Sequence, residues 1–129
     1  MKIYDKNIIV TEDDLDDMNH VNNVRYLKWV QDIAKEHWLA LAPESFIKNY
    51  AWVVLSHHIE YKNAALLNDP IKIQTFVTKS EGVTSIRVVE MHHLETCKLI
   101  AKAESNWCLL NAKTGRPTRI PKEITDMFH

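Results

Sequence analysis

The sequence predicts an α+β fold, in which a curved, five-stranded antiparallel sheet wraps around one long central helix. Three observations support this prediction. The segment from Tyr26 to Leu41 has helical periodicity, the segments after Tyr50 alternate with a period of two, and the links between those segments are short. A chain of 129 residues has the size of one domain, so we expect a single domain over residues 1–129.

The predicted helix has a very wide apolar face. At about 100° per residue, charged and amide side chains fill one half of the cylinder and apolar side chains fill the other. The apolar half carries Tyr26, Leu27, Trp29, Val30, Ile33, Ala34, Trp38 and Leu41. His37 falls within it, where we expect a core histidine bonded to a backbone carbonyl rather than a functional one. Pro43 predicts the helix end, because proline disfavours helical geometry in the residue before it.

One strand is predicted before the helix, around Lys2 to Val10, and four after it. In the second strand, alternation predicts one face with Val53, Leu55, His57, Ile59 and Tyr61. In the third strand it predicts a face with Ile71, Ile73, Thr75 and Val77, and in the fifth a face with Leu99, Ala101, Ala103, Trp107 and Leu109. The links are short, and a parallel return would need a crossover of about a dozen residues, so the strands must be antiparallel.

A single layer of sheet leaves unpaired edges and an outer face. We expect that outer face to carry Phe76, Trp52 and Val54. Exposed edges and apolar side chains of this kind favour pairing with a second copy of the chain. The sequence therefore predicts a homo-oligomer, either a dimer or a tetramer.

The overall composition argues against several classes of partner. The formal net charge is −1, which gives no field for gripping nucleic acid, so we expect no nucleic-acid partner. No apolar run approaches the roughly 20 residues that a membrane helix needs, and the first residues lack a secretory signal. We therefore expect a cytoplasmic protein with no membrane partner. Cys97 and Cys108 show no CxxC spacing and are expected to be reduced thiols in the core.

The stretch DLDDMNHVNNVRYLKWV, residues 14–30, leads into the helix and is dense in polar side chains. Acidic residues near a helix start oppose the dipole at roughly 0.3 to 1 kcal/mol each, and asparagine is a favoured cap. That explanation leaves Asn19 and His20 unaccounted for. A helix start also directs unpaired N–H groups outward, which suits a developing oxyanion. A carboxylate one turn upstream would then act on the carbonyl as base or nucleophile.

The run from Asp16 to Trp29, DDMNHVNNVRYLKW, resembles the signature of the hotdog-fold acyl-thioesterases. This group includes 4-hydroxybenzoyl-CoA, long-chain acyl-CoA and acyl-acyl-carrier-protein thioesterases. The segments HIEYKNAALLNDPIKI and WCLLNAKTGRPTRIP resemble further parts of the family, so the resemblance covers nearly the whole chain. It implies a hotdog fold assembled at least as dimers. It also implies hydrolysis of acyl-CoA or acyl-acyl carrier protein, with no metal and no redox cofactor.

The resemblance also implies roles for single residues. By the match of spacing, Asp16 takes the position of the family's catalytic aspartate, and the N–H of Asn23 matches the group that polarises the thioester carbonyl. His20 would orient substrate or water. The remaining residues of the motif that we assign to substrate binding are Asn19, Asn22 and Tyr26. The plant-type carrier-protein enzymes have a catalytic asparagine two residues after the aspartate, where this chain has Met18, so the choice between CoA and carrier protein stays open.

Three residues outside the motif are also assigned to substrate binding. His57 lies in the strand that, by resemblance, borders the cleft of the neighbouring subunit. Arg116 and Arg119 belong to a basic run near the C-terminus, which is either a solvated tail or a contact for CoA phosphates or an acidic carrier protein. The histidine pairs at 57–58 and 92–93 point to opposite faces of their strands, so neither predicts a metal site.

Two alternatives to thioester hydrolysis remain within the same fold. Hydratases and dehydratases act on an acyl chain that is still attached to its carrier, but their motif differs from the HVNN sequence found here. A hydrolytically inactive hotdog dimer would only bind acyl-CoA. The presence of Asp16 argues against this second alternative.

Overall fold

The computed structural model describes all 129 residues and contains five strands and three α-helices. A short 3-10 helix at Glu12–Asp14 precedes the long helix. The strands are β1 (Tyr4–Ile9), β2 (Tyr50–Tyr61), β3 (Pro70–Glu81), β4 (Thr84–His93) and β5 (Leu99–Asn111). The helices are α1 (Asn23–Leu41), α2 (Glu44–Asn49) and α3 (Lys122–Phe128). The predicted order of one strand, one long helix and four strands is confirmed, whereas the short helices α2 and α3 were not predicted.

The five strands form one sheet in the order β1-β3-β4-β5-β2, and every neighbouring pair is antiparallel. β1 and β2 are therefore the two edge strands. The inner face of β3 is the predicted one, because Ile71, Ile73, Thr75 and Val77 are all buried. An α+β fold with one helix against a five-stranded antiparallel sheet is thus confirmed.

The long helix α1 begins and ends where its sequence directs. The side-chain oxygen of Asn22 accepts a hydrogen bond from the backbone N–H of Val24, which is the geometry of an N-cap. The helix ends at Leu41, two residues before Pro43. Its buried residues are Tyr26, Trp29, Val30, Ile33, Ala34, His37 and Trp38. Burial of each large apolar side chain contributes about 1.5 to 3 kcal/mol, so tertiary packing holds this helix in place.

A β-bulge in β2 overturns one prediction. The pairing of β2 with β5 shifts register between Val54 and Ser56, so one extra residue reverses the faces of the strand. Val53 and Leu55, predicted to lie on the inner face, are 39% and 56% exposed. Trp52 instead packs inward, with its ring 5.9 Å from that of Trp38 in an edge-to-face arrangement. The assignment of Trp52 and Val54 to the outer face was therefore wrong.

The two cysteines differ in environment. Cys108 is buried, as expected. Cys97 is exposed, because it lies in the turn between β4 and β5 with a φ of 62° rather than in a strand. The prediction of a core position for Cys97 was wrong, because β4 ends at His93 and β5 begins only at Leu99, which leaves Cys97 in the link between them.

A polar cluster lies inside the fold where α1 meets the sheet. His37 is only 2% exposed, and its Nδ1 accepts a hydrogen bond of 2.9 Å from Nη1 of Arg87. The core position of His37 is confirmed, but its partner is this guanidinium and not the backbone carbonyl that was expected. Nη1 of Arg87 also lies 3.1 Å from Oγ1 of Thr75, and its guanidinium lies 5.2 Å from the ring centroid of Phe128.

Burial is the main influence on the pKa values of His37 and Arg87. It lowers the pKa of His37 to about 4, with the charge of Arg87 adding to the effect. Burial also lowers the pKa of Arg87 to about 10. At neutral pH the cluster therefore pairs a neutral imidazole with a charged guanidinium.

The unpredicted helix α3 packs against β3. Ile124 and Phe128 of this helix are buried and belong to the same apolar cluster as Trp38, Val77 and Leu109. None of the helices has the length and apolar character that crossing a bilayer requires.

Candidate active site

Asp14 is the acidic residue that shapes the loop before α1. Its Oδ2 accepts hydrogen bonds from the backbone N–H of Thr11 at 2.8 Å and from the hydroxyl of Thr11 at 3.2 Å. Its Oδ1 lies 3.1 Å from Nε of Arg25, and Nη2 of Arg25 donates to the backbone oxygen of Asp13. The carboxylate of Asp14 is thus fully engaged in holding the loop against the first turn of α1.

Asp16 is held differently, through one carboxylate oxygen only. Its Oδ1 accepts hydrogen bonds from the backbone N–H groups of Met18 at 2.9 Å and of His20 at 3.1 Å. The backbone N–H of Asp16 donates to the carbonyl of His20 at 2.7 Å, which closes the loop on itself. Asn19, at the tip, has a φ of 61°, a conformation that asparagine tolerates better than most residues. Oδ2 of Asp16 has no hydrogen-bond partner within the protein.

The first turn of α1 leaves one backbone donor without a partner. The N–H of Val24 is satisfied by the side chain of Asn22, and the N–H groups of Arg25 and Tyr26 by the carbonyl of Asn22. The N–H of Asn23 makes no hydrogen bond. One backbone donor at the positive end of the helix dipole is therefore available to an incoming acceptor.

Asp16 and Asn23 line the same pocket, whose volume is about 270 Å³. His20 and Tyr26 also line it, so four of the predicted site residues come together. The remaining lining residues are Val21, Tyr61, Lys62, Asn63 and Ala64. The pocket is thus formed between the start of α1 and the segment that ends β2.

Sequence reasoning from the HVNN motif missed the wall that β2 contributes. The rings of Tyr61 and Tyr26 lie 5.5 Å apart, and Nδ2 of Asn63 donates to the carbonyl of Leu99 at 2.7 Å. Nζ of Lys62 pairs with Glu60 at 2.7 Å. The resemblance of the segment HIEYKNA to the family's second strand was the signal that pointed to this wall.

Tyr26 is unsuited to proton abstraction. Burial is the largest influence on its pKa, which is raised above the usual value, and the backbone of Ala65 opposes this shift. The phenol is therefore protonated at neutral pH and contributes an apolar ring to the pocket.

The other predicted site residues lie outside this pocket. The side chain of Asn22 caps α1, and Asn19 is exposed at the loop tip. His57 bonds through Nδ1 to Oγ of Ser105 at 2.6 Å, and burial lowers its pKa. Arg116 and Arg119 are exposed between β5 and α3.

The arrangement fits attack on a carbonyl. A carbonyl oxygen that accepts a hydrogen bond from the N–H of Asn23 would place its carbon within the pocket that Asp16 faces. A carboxylate with one unoccupied oxygen there can remove a proton from water or attack the carbon directly. No group of three or more His, Cys, Asp or Glu side chains in the structure has the arrangement of a metal site.

The fold is shared with solved structures of thioesterases. A probable thioesterase from Escherichia coli matches with a TM-score of 0.83 at 24% identity, over 97% of this chain and 98% of that one. A 1,4-dihydroxy-2-naphthoyl-CoA thioesterase from Synechocystis matches with a TM-score of 0.84 at 14% identity, over 98% and 96%. At these identities the likeness shows the fold alone, and the predicted hotdog fold is confirmed.

Two comparisons of sequence point the same way. The palmitoyl-acyl carrier protein thioesterases of Cuphea hookeriana and Arabidopsis thaliana are 27% and 28% identical over 82 residues, or 64% of this chain. The chain matches only about 20% of the length of these relatives. The family model described as the thioesterase-like superfamily matches residues 10–128. This chain therefore belongs to the thioesterase-like superfamily.

Proposed function

We propose that this protein hydrolyses the thioester of acyl-CoA or of an acyl-acyl carrier protein and releases a carboxylic acid. One observation carries the proposal: the unoccupied carboxylate oxygen of Asp16 and the unpaired N–H of Asn23 belong to residues that line one pocket. Membership of the thioesterase-like superfamily supports the same reaction.

The N–H of Asn23 would donate to the carbonyl oxygen and stabilise the negative charge that develops there. Oδ2 of Asp16 would either take the proton of an attacking water or attack the carbon itself. In both routes the C–S bond breaks and the thiolate takes up a proton as it leaves. If the carboxylate attacks, the second step is hydrolysis of an Asp16 anhydride. Attack of water on the Asp16 carbonyl carbon during a single turnover in ¹⁸O-water would then place ¹⁸O in the protein, which the general-base route never does.

Other residues of the motif have supporting roles in this proposal. His20, which is exposed at the pocket, would orient the water or the substrate. Tyr26 would pack beside the acyl group. Asn19 and Asn22 shape the turn and the cap that hold the two reacting groups in place.

The carrier and the assembly are further parts of the proposal. Curated relatives are named for acyl carrier protein substrates, and one solved neighbour from Staphylococcus aureus is described as a complex with CoA. Exposed Arg116 and Arg119 would contact CoA phosphates or an acidic carrier protein in the cytoplasm. β2 pairs only with β5, so its free edge would join a second copy, and His57 would then border the partner's cleft.

The decisive experiment is the substitution Asp16→Asn. Asparagine keeps an oxygen that can accept the two backbone hydrogen bonds, so the loop should survive while the base or nucleophile is lost. We expect the rate of thiol release from acyl-CoAs of several chain lengths and from an acyl carrier protein conjugate to fall about 10²- to 10⁴-fold. Asp17→Asn is the matched control, because Asp17 does not line the pocket, and it should retain activity.

Other outcomes would favour the alternatives. Wild-type protein that binds acyl-CoA and releases no thiol would identify a non-catalytic binding protein. Hydration of an enoyl-CoA with the thioester intact would identify a hydratase. Equal loss of activity in Asp16→Asn and Asp17→Asn would refute the role of Asp16.

A further inference from the structure

A second and larger cavity, of about 360 Å³, lies between the C-terminal half of α1 and the inner face of the sheet. Its walls include four aromatic side chains, Trp38, Trp52, Trp107 and Phe128. Trp38 lies 15 residues beyond Asn23 on α1, which corresponds to about 22 Å along the helix axis. None of the residues that line it lines the pocket of Asp16.

Arg87 brings a buried positive charge to the wall of this cavity. Arg87 is only 6% exposed, and no ion pair in the structure involves it. Nη1 is engaged with His37 and Thr75, whereas Nε and Nη2 make no hydrogen bond. No carboxylate of the protein neutralises this buried charge, so the guanidinium would gain free energy from an anion that enters the cavity.

The surroundings of Arg87 provide no such anion. His37 is neutral and Thr75 is an alcohol. Asp32 and Lys35 both line the cavity, but the carboxylate of Asp32 is already paired with Lys28 at 2.9 Å. The cavity therefore combines an apolar aromatic wall with an unneutralised cation.

We propose that this cavity is a binding site for an apolar monocarboxylate, whose carboxylate pairs with Nε and Nη2 of Arg87 and whose body packs between Trp38, Trp52 and Trp107. A guanidinium presents two parallel N–H groups that match the two oxygens of a carboxylate. At about 30 Å³ per water-sized group, the cavity accommodates about a dozen non-hydrogen atoms. Medium-chain fatty acids and two-ring aromatic acids have this size. The proposal is independent of the reaction at Asp16, because binding requires no hydrolysis.

Calorimetric titration of the full-length protein with octanoate and with 2-naphthoate tests the proposal. At least one of them should bind saturably. The matching uncharged alcohol, 1-octanol or 2-naphthalenemethanol, should bind at least about 10-fold more weakly, because it cannot neutralise Arg87. Arg87→Met should weaken the acid by about 10- to 100-fold. Lys102→Met, which removes the same charge from an exposed position outside the cavity, should bind the acid as the wild type does.

A second measurement uses wild-type protein, because Arg87→Met deprives His37 and Thr75 of their donor and can fail to fold. In ¹⁵N-labelled protein, the side-chain Nε–H signal of Arg87 should shift saturably as the acid is added. The signal of Arg25, whose Nε is paired with Asp14, should stay in place. Absence of binding by both acids, equal binding of acid and alcohol, or an unmoved Arg87 signal would overturn the proposal.

Discussion

The stability of the fold should depend on pH through His37. Burial lowers the pKa of this imidazole from 6.5 to about 4, so the folded state prefers the neutral form that accepts the hydrogen bond of Arg87. The unfolded chain binds a proton near pH 6.5 and the folded protein only near pH 4. The stabilisation is therefore fully present above pH 6.5 and is lost as the pH falls toward 4. At about 1.4 kcal/mol per unit, the full loss is about 3 kcal/mol.

The substitution His37→Gln separates this effect from other titrations. A glutamine oxygen can still accept the hydrogen bond from Arg87, but the side chain does not titrate. Urea unfolding at pH 7.5 and pH 4.5 should show the wild type losing about 2 to 3 kcal/mol more than the variant between these values. His58→Gln is the control, because His58 is 76% exposed, and it should keep the wild-type dependence on pH. Identical pH dependence in wild type and His37→Gln would refute the reasoning, since it would mean that His37 is protonated inside the fold.

Three further predictions concern the site and the turns. Tyr26→Phe should keep the pH profile of thiol release and lower its rate less than about 10-fold, because a phenol with a raised pKa is not the base; a shifted profile would contradict this. Arg25→Met should lower the free energy of unfolding by about 1 kcal/mol through the loss of its contacts to the loop, whereas Asp13→Ala should not, because only the Asp13 backbone oxygen is used. Gly82→Ala should lower the free energy of unfolding, measured by heat or urea, by about 1 to 2 kcal/mol, because φ is 63° at this position. No atom lies within 4 Å of the added Cβ, so the cost comes from the backbone conformation alone. An unchanged midpoint would show that the turn relaxes.

The long helix and the inner face of β3 were predictable because each depends on local periodicity. The apolar half of α1 and the alternation from Ile71 to Val77 each repeat often enough to fix which side is buried. Pro43 marked the end of the helix, and short links fixed the antiparallel order. These features require no knowledge of the tertiary structure.

The faces of β2 were not predictable in this way. A single extra residue between Val54 and Ser56 exchanges the two sides of the strand, and it leaves no signal in a run that is apolar on both sides. Cys97 was misplaced for a related reason, since the turn after β4 begins within a segment of strand-like composition. Both errors come from the partner strand, which sets where pairing shifts or stops.

For the candidate site, the sequence identified the loop better than it identified the function of each acid. Spacing identified Asp16, and the structure shows how its carboxylate differs from that of Asp14. One oxygen of Asp16 accepts two hydrogen bonds and the other accepts none, whereas both oxygens of Asp14 are engaged. That difference depends on the path of the backbone around Asn19, which no pattern of residue types specifies. The contribution of Tyr61 and Lys62 depends on β2 returning beside the start of α1, which is a tertiary contact.

At Arg87, the strand periodicity and the charge of the side chain predict opposite faces of β4. Alternation along β4 places Ser85, Arg87, Val89 and Met91 on one face, and the structure buries all four. The charge of Arg87 argues for the opposite face, because an arginine is almost never fully buried without a partner. In this fold alternation decides the position, and the guanidinium is left facing an aromatic cavity with two of its nitrogens unbonded. The proposed carboxylate would supply the negative charge that no side chain of the protein places beside Arg87.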